Sequence, residues 1–214
     1  AIKLARKATG KQGIITFQQS FHGRTFGAMA ATGQDKIKEG FGDGVPHFSY
    51  AVYNDLAGVE DLVNQDTAAV MLELVQGESG VRPAEAAFVK DLADFCKREG
   101  ILLIVDEVQT GMGRTGQLYS FEHYGIVPDI VTLAKGLANG LPAGALLGKS
   151  SLAPAFGPGS HGSTFGGNKL AMAAALETFH IMKEVGFLEE VRSKSAILLE
   201  QLQLAFQNHP KISA

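Results

Sequence analysis

An acid and a lysine each follow an apolar run in the stretch 101–136. The first run, Ile101–Val105, is followed by Asp106, and the second, Ile130–Ala134, is followed by Lys135. Apolar runs of this length, rich in Ile, Val and Leu, are typical of strands that are buried on both faces of a sheet. Ligands of open α/β sheets bind beyond the carboxyl ends of the strands. We therefore expect both residues to lie at one ligand-binding edge.

The chemistry of Asp106 and Lys135 fits a pyridoxal phosphate site. A lysine can form a Schiff base with an aldehyde when a cationic or apolar setting lowers its pKa. A nearby carboxylate can hold a protonated ring nitrogen and so keep a pyridine ring electron-withdrawing. On the residues alone, an acid and a lysine that are simply exposed to solvent at the sheet edge remain an alternative.

Two glycine-containing motifs suggest nucleotide binding, and each departs from its pattern. Residues 111–116 fit GxGxxG, but the stretch after them is poorly periodic, and Lys135 stands where a ribose-binding acid is expected. The run ILLIVDE together with 148–150 resembles a P-loop ATPase, but Ala143 stands where the phosphate loop needs a glycine. An ATPase and a non-catalytic binding domain are the alternatives from other functional classes.

Composition favours a globular cytoplasmic protein. The chain has 214 residues, of which 45% are hydrophobic and 19% are charged, and its net charge is −3. This charge gives no reason to expect nucleic acid or an anionic membrane as a partner. Cys96 is the single cysteine, which excludes an internal disulfide and favours a reducing compartment. The histidines lack metal-ligand spacing, so we expect no metal, and His22 at most supports a neighbouring site.

Strands and helices alternate along residues 13–148, which predicts a mostly parallel sheet flanked by helices. The predicted strands are Gly13–Phe17, His47–Val52, Ala68–Val75, Ile101–Val105, Ile130–Ala134 and Ala143–Gly148. The predicted helices are Ala1–Ala8, Ala57–Gln65, Glu85–Glu99, Asn168–Glu184 and Phe187–Asn208. We place a domain boundary near Gly186, with a large α/β domain over 1–186 and a helix over 187–214 that leads into a second domain.

Five motifs occur in a distinctive order: SFHGRT (20–25), LELVQGESGV (72–81), DEVQTGMGRTG (106–116), PDIVTLAKGLANGLPAGA (128–145) and PGSHGSTFGGN (158–168). Together they resemble the class III pyridoxal-phosphate-dependent aminotransferases, and the resemblance extends from Ala1 to Phe187. Within the family these motif sequences are most similar to those of acetylornithine aminotransferases, followed by those of ornithine and 4-aminobutyrate aminotransferases. The resemblance implies the large domain of a fold-type I pyridoxal phosphate enzyme.

The resemblance also implies a set of cofactor-binding residues. Lys135 would bind the cofactor aldehyde and then carry a proton between substrate and cofactor, while Asp106 would pair with the ring nitrogen. Gln109 would reach the phenolic oxygen of the ring. The complete implied set is Phe21 and Val108 on the two ring faces, Asp106, Glu107, Gln109, Lys135 and Thr164.

Three further residues are implied at the substrate. Arg24 would meet a substrate carboxylate, and Glu78 would pair with an arginine that switches between two amino donors. Ser163 would lie with Thr164 in a loop that reaches the partner's phosphate or substrate across a homodimer interface. Lys169 departs from the family pattern, because a proline is usual there, but this is only a first-turn preference of a helix.

The implied reaction is transamination in arginine biosynthesis, from N-acetylornithine to 2-oxoglutarate. Its partners would be a small amino donor and a 2-oxo acid. The family's phosphate-binding turn would precede residue 1, and its small domain would follow residue 214. We therefore expect a fragment that binds the cofactor weakly and turns over poorly.

Overall fold

A six-stranded, mostly parallel sheet forms the centre of the protein, as predicted. The structure, a computed structural model, describes residues 1–207 and 209. Its strands are β1 (Gly13–Phe17), β2 (Phe48–Ala51), β3 (Thr67–Glu73), β4 (Val75–Gln76), β5 (Arg82–Pro83), β6 (Leu102–Asp106), β7 (Ile130–Leu133) and β8 (Ala145–Gly148). The order in the sheet is β2-β1-β3-β6-β7-β8, and β4 and β5 form a separate hairpin. All neighbours in the sheet are parallel except β8, which is antiparallel to β7.

Seven α-helices accompany the strands in the described part of the chain. They are α1 (Ile2–Thr9), α2 (Phe26–Ala31), α3 (Asp35–Lys38), α4 (Leu56–Leu62), α5 (Ala86–Glu99), α6 (Lys169–Met182) and α7 (Phe187–Phe206). Short 3-10 helices occupy Ser120–Tyr124, Lys135–Ala138 and Ser150–Ala155. The five predicted helices are present, although the predicted end of the last one, Asn208, lies outside the described residues. The short helices α2 and α3 were not predicted, because neither is long enough to show an apolar period.

Two hydrophobic cores lie on opposite faces of the sheet. One packs Val59 of α4 and Leu92 of α5 against Leu72 and other residues of the central strands. The other packs Leu4 of α1 against Ile104 and neighbouring residues. All seven residues of β3 are buried because both its faces are covered. This double burial explains why the strand sequences are continuous apolar runs with no polar alternation.

The central strands end on polar residues at one edge of the sheet. Glu73 is the last residue of β3 and Asp106 is the last residue of β6, and the two are register partners. Thr132 of β7 is the register partner of Asp106 on its other side. The predicted strand ended at Val105, one residue earlier. The register therefore places two carboxylates and a hydroxyl side by side.

The last strand of the sheet, β8, and the helix α7 contain no buried residues. Leu146 and Leu147 of β8 are 37% and 42% exposed, and every residue of α7 is partly or fully exposed. Gly186 has a positive φ of 89° and connects α6 to α7. The predicted boundary near Gly186 thus falls at the junction of these two helices, and residues 208 and 210–214 of the predicted second segment lie outside the described residues.

Gly33 should be required because its segment passes very close to the end of β1. A Cβ atom at residue 33 would lie 2.0 Å from the Phe17 carbonyl oxygen, and the Gly33 carbonyl accepts a bond of 2.7 Å from the Gln19 N–H. We expect Gly33→Ala to lower the free energy of unfolding by about 1–3 kcal/mol, measured by urea denaturation. Gly27→Ala is the control, since a Cβ there meets no atom within 4 Å; equal losses would contradict the prediction.

Candidate active site

A cavity of about 150 Å³ opens at the carboxyl ends of β3 and β6. Six of the residues predicted to bind cofactor or substrate line it: Phe21, Glu78, Asp106, Val108, Gln109 and Lys135. Its other lining residues are His22, Gly23, Glu73 and Gly77. The structure therefore brings together residues from four separate loops, at the edge where the strand pattern predicted a ligand.

The Asp106 carboxylate is held rigidly at the base of the cavity. Its Oδ1 accepts hydrogen bonds from the Val108 N–H at 3.1 Å and from the Thr132 hydroxyl at 2.9 Å. Its Oδ2 lies 2.8 Å from Nδ1 of His22. The Asp106 side chain is only 6% exposed. A buried carboxylate with this many partners is fixed in direction and can present its charge to one defined point of a ligand.

His22 is more important to the site than the sequence indicated. Its side chain is fully buried, and its backbone N–H donates to the Thr32 hydroxyl at 2.9 Å. Its Nε2 has no hydrogen-bond partner among the described residues. With Nδ1 bonded to Asp106, the imidazole orients the carboxylate. The contact joins residues 84 positions apart, so no local sequence spacing could have revealed it.

Lys135 follows β7 in an unusual backbone conformation. Its φ is 42°, in the left-handed region that a lysine rarely adopts. Its exposed side chain lines the cavity, and its Nζ donates to Oε1 of Gln109 at 2.5 Å. Strained residues of this kind cluster at functional sites, where the surrounding structure holds them in place. The ammonium is thus aimed into the cavity and restrained by a neutral partner.

Glu73 places a second carboxylate beside Asp106. Burial raises the pKa of the Glu73 carboxyl and Asp106 raises it further, while His22 and the backbone N–H groups of Phe21 and Gly77 lower it. Because this pKa is higher in the folded chain than in the unfolded chain, the ionised carboxylate opposes folding. The resulting loss of stability develops as pH rises above the unfolded pKa.

Four of the predicted site residues do not line the cavity. Arg24 is exposed, with its guanidinium carbon 5.4 Å from the centroid of the Phe21 ring. Ser163 and Thr164 are exposed in the loop 157–167, which is tied to α1 by the 2.6 Å bond from Lys7 to Ser160. The Ser163 hydroxyl accepts from the Gly166 N–H. Arg24, Ser163 and Thr164 can therefore contact a ligand only where the ligand extends beyond this cavity.

Glu107 is the fourth, and it is directed away from the cavity. It is 1% exposed, and its carboxylate accepts from the Thr110 hydroxyl, the Ser120 hydroxyl and the Phe121 N–H, at 2.5, 2.7 and 3.0 Å. Consecutive residues at the end of a strand point to opposite sides, so Asp106 and Glu107 cannot both face the ligand. In this structure Glu107 does not line the cavity, and its hydrogen bonds anchor the segment 110–121.

The two nucleotide-like motifs serve other purposes. Gly116 lies under α7, where a Cβ would meet Cγ of Arg192 at 2.7 Å, and the Arg192 guanidinium donates to the Gly116 carbonyl. Lys149 forms an ion pair of 2.8 Å with Asp129 at the other end of β7. Residues 111–116 and 148–150 do not line the cavity, whereas Asp106 of the run ILLIVDE does. The glycines allow close helix packing, and the lysine is already paired.

Comparison with known proteins identifies the family. The model of the aminotransferase class-III family matches residues 1–214, the whole chain. The chain belongs to the class III aminotransferases. It is 70% identical over 207 residues to the acetylornithine aminotransferase of Streptococcus mutans, covering 97% of this chain and 55% of that protein. It is 59% identical to the acetylornithine aminotransferase of Bacillus subtilis, covering 95% of this chain and 53% of that protein. The chain thus spans about half the length of the curated relatives it matches.

Solved structures support the same family assignment and the fold-type I architecture. The ornithine aminotransferase of Toxoplasma gondii has a TM-score of 0.92 and 31% identity, over 99% of this chain and 53% of that one. A PLP-bound amine transaminase from an uncultivated Pseudomonas species has a TM-score of 0.86 and 30% identity, over 96% of this chain and 55% of that one. In the described range, 1–207 and 209, this class III domain has no helix that could cross a membrane and no cluster that could hold a metal ion.

Glu107 should contribute to stability. Glu107→Ala leaves buried donors on Thr110, Ser120 and Phe121 without an acceptor. We expect the free energy of unfolding to fall by about 3 kcal/mol, measured by chemical denaturation. Glu78→Ala is the matched control, because Glu78 is exposed and its loss should change stability by less than about 0.5 kcal/mol. A neutral effect of Glu107→Ala would contradict this role.

Proposed function

We propose that the chain is the cofactor-binding part of a pyridoxal-phosphate-dependent aminotransferase that moves the amino group of N-acetylornithine to 2-oxoglutarate. The observation that carries the proposal is the convergence of Asp106 and Lys135 on one cavity. Two side chains with these roles are what pyridoxal phosphate chemistry requires. The acetylornithine aminotransferases among the relatives support the substrate assignment.

The dimensions and lining of the cavity fit a single aromatic ring. A cavity of about 150 Å³ accommodates a benzene-sized molecule. Phe21 and Val108 supply apolar surfaces, and Asp106 supplies an anion for a protonated ring nitrogen. When bound, pyridoxal phosphate supplies an aldehyde that combines with amines and a pyridinium ring that withdraws electrons from the attached carbon. The residues present therefore suit this cofactor.

Asp106 holds a proton on the ring nitrogen. A charge-assisted hydrogen bond of this type is worth about 1.5–3 kcal/mol. The bonds from Val108 and Thr132 and the contact with His22 keep its oxygens in one orientation. Since the carboxylate is already fixed before the ring arrives, little reorganisation accompanies binding.

Lys135 acts through its Nζ. Lys135 would hold the aldehyde end of pyridoxal phosphate through Nζ, and the same Nζ would carry a proton to and from the bound substrate. The contact with Gln109 holds Nζ near the cavity before the ring binds, and Gln109 is then available to the phenolic oxygen of the ring. The left-handed backbone conformation of Lys135 directs its side chain toward the cavity.

The remaining assignments concern groups outside the cavity lining. Arg24 binds a substrate carboxylate as a bidentate guanidinium, and Glu78 acts at the substrate. Ser163 and Thr164 reach the phosphate or substrate of a second subunit in a homodimer, which their exposure on the loop 157–167 supports. Residues 1–186 form the cofactor-binding domain. The enzyme acts in the cytoplasm, in arginine biosynthesis.

The assignment of Lys135 can be tested by spectroscopy. Addition of pyridoxal phosphate should produce a visible absorption band, and borohydride should fix the cofactor to Lys135, as located by peptide mass spectrometry. We expect Lys135→Ala to abolish both, because the attacking amine is gone. Lys90→Ala, which alters an exposed lysine of α5, is the control. A band that survives in Lys135→Ala would refute the assignment.

Donor preference separates acetylornithine from ornithine as substrate. The structural similarity to an ornithine aminotransferase makes ornithine the second candidate. We expect kcat/KM for N-acetylornithine to exceed those for ornithine and 4-aminobutyrate by at least about tenfold, the discrimination that one well-placed polar contact provides. The comparison uses 2-oxoglutarate as acceptor in the full-length protein. A preference for ornithine or 4-aminobutyrate would reassign the substrate within the family.

A further inference from the structure

The hairpin formed by β4 and β5 carries a residue of the cavity in its connection. Gln76 is the last residue of β4, Arg82 is the first residue of β5, and the two are register partners. Residues 77–81 connect them, and Gly77 and Glu78 of this connection line the cavity. The contacts that hold the hairpin therefore also fix the position of the Glu78 carboxylate.

Both members of this register pair donate a hydrogen bond to the turn that follows β1. Nε2 of Gln76 donates to the carbonyl oxygen of Gln18 at 3.0 Å, and the Arg82 guanidinium donates to Oε1 of Gln19 at 2.8 Å. The turn leads directly into Phe21, which also lines the cavity. The hairpin is thus attached at two adjacent points to the segment that supplies another part of the cavity lining.

The side chain of Gln76 is bonded to the connection as well. Its Oε1 accepts a hydrogen bond of 3.2 Å from the hydroxyl of Ser79, the residue that follows Glu78. Gln76 is 1% exposed, so little water can replace these partners. Because the donor end and the acceptor end of the amide are both bonded, the side chain has one preferred orientation. A single buried amide therefore joins the turn after β1 to the residue beside Glu78.

The connection between the two strands is strained. Val81 has a φ of 55°, in the left-handed region that a β-branched residue rarely adopts. It is 69% exposed, so burial in a core does not hold it in this conformation. Strained residues persist where the surrounding structure restrains them, and they cluster at functional sites. The hydrogen bonds at the base of the hairpin are contacts that can supply this restraint.

We propose that Gln76 is a positioning residue that holds Glu78 at the cavity, with Arg82 as a second, outer point of attachment. The inference rests on the proposed function, in which Glu78 acts at the substrate. Gln76 does not line the cavity itself, so it acts through Glu78. The hairpin is separate from the central sheet. Loss of the attachment should therefore weaken substrate binding and leave Asp106 and Lys135 in place.

Hydrogen exchange tests the attachment in the protein without added cofactor. Gln76→Met keeps the length of the side chain and removes its donor and its acceptor. We expect it to accelerate exchange of the Ala84 N–H about tenfold, because that N–H donates to the Leu74 carbonyl at 2.9 Å and reports closure of the hairpin. Arg82→Met should accelerate it about twofold, since its bond is exposed. Gln65→Met makes the same chemical change at an exposed position and should have no effect.

Substrate kinetics test whether the attachment acts through Glu78. In the full-length protein we expect Gln76→Met to raise KM for N-acetylornithine about tenfold while kcat changes by less than about twofold, the pattern of lost substrate binding. Glu78→Ala should raise KM by a similar factor. The double variant should match Glu78→Ala alone, because both changes remove one contact. The visible band and its fixation to Lys135 should persist. A purely structural role predicts an unchanged KM in the folded protein.

Two results would overturn the inference. Unchanged exchange at Ala84 in Gln76→Met would show that the hairpin is not attached through this amide, and additive effects of Gln76→Met and Glu78→Ala on KM would show that Gln76 does not act through Glu78. If Gln76→Met fails to fold, Arg82→Met replaces it in both measurements, with Arg98→Met at an exposed position as the control.

The same experiments separate this inference from the function on which it rests. A Glu78→Ala variant with unchanged KM would refute the substrate role of Glu78 and the positioning role of Gln76 together. A wild-type protein that forms no visible band with pyridoxal phosphate would instead refute the proposed function. The exchange of the Ala84 N–H would still test the attachment in that case.

Discussion

The site depends on a buried carboxylate that is held in place before any ligand arrives. Asp106 receives two hydrogen bonds at Oδ1 and the imidazole of His22 at Oδ2. A carboxylate at this depth loses its hydrogen bonds to water, and these three partners replace them. Its partners come from β7, from the turn after β6 and from the loop after β1. Three separate parts of the chain must therefore be correctly folded before the hydrogen bonds of this carboxylate are complete.

This requirement is met by strand register. Glu73, Asp106 and Thr132 are aligned across β3, β6 and β7, so their side chains project from the same face of the sheet. A slip of one residue would turn Asp106 toward the opposite core and bring Glu107 to the edge. The continuous apolar runs prevent this, since both faces of the central strands are packed. The long-range order of the sheet is thus what makes a local hydrogen-bond network possible.

The sequence is informative about residues that lie at the carboxyl ends of parallel strands. Asp106 and Lys135 could be assigned to one edge because parallel strands place their carboxyl ends together. His22 could not be assigned to Asp106, since the pairing arises only when β1 and β6 are placed in the same sheet. The family resemblance implies Glu107 together with Asp106 at the cofactor. The alternation of side chains along a strand would have separated them, and that signal was present in the sequence.

The glycines of residues 111–116 show why a motif by itself is a weak indication of ligand binding. Glycine is required wherever main chain approaches another group closely or adopts a positive φ, and a phosphate is only one such neighbour. At Gly113 and Gly116 the neighbours are side chains of α6 and α7, as the contact between Gly116 and Arg192 shows. The same sequence feature is compatible with a nucleotide and with a packed helix. The residues next to the glycines distinguish a nucleotide site from a packed helix. Here the neighbouring strands end in an acid, Asp106, and a lysine, Lys135. These two side chains suit an electron-accepting ring better than a phosphate chain.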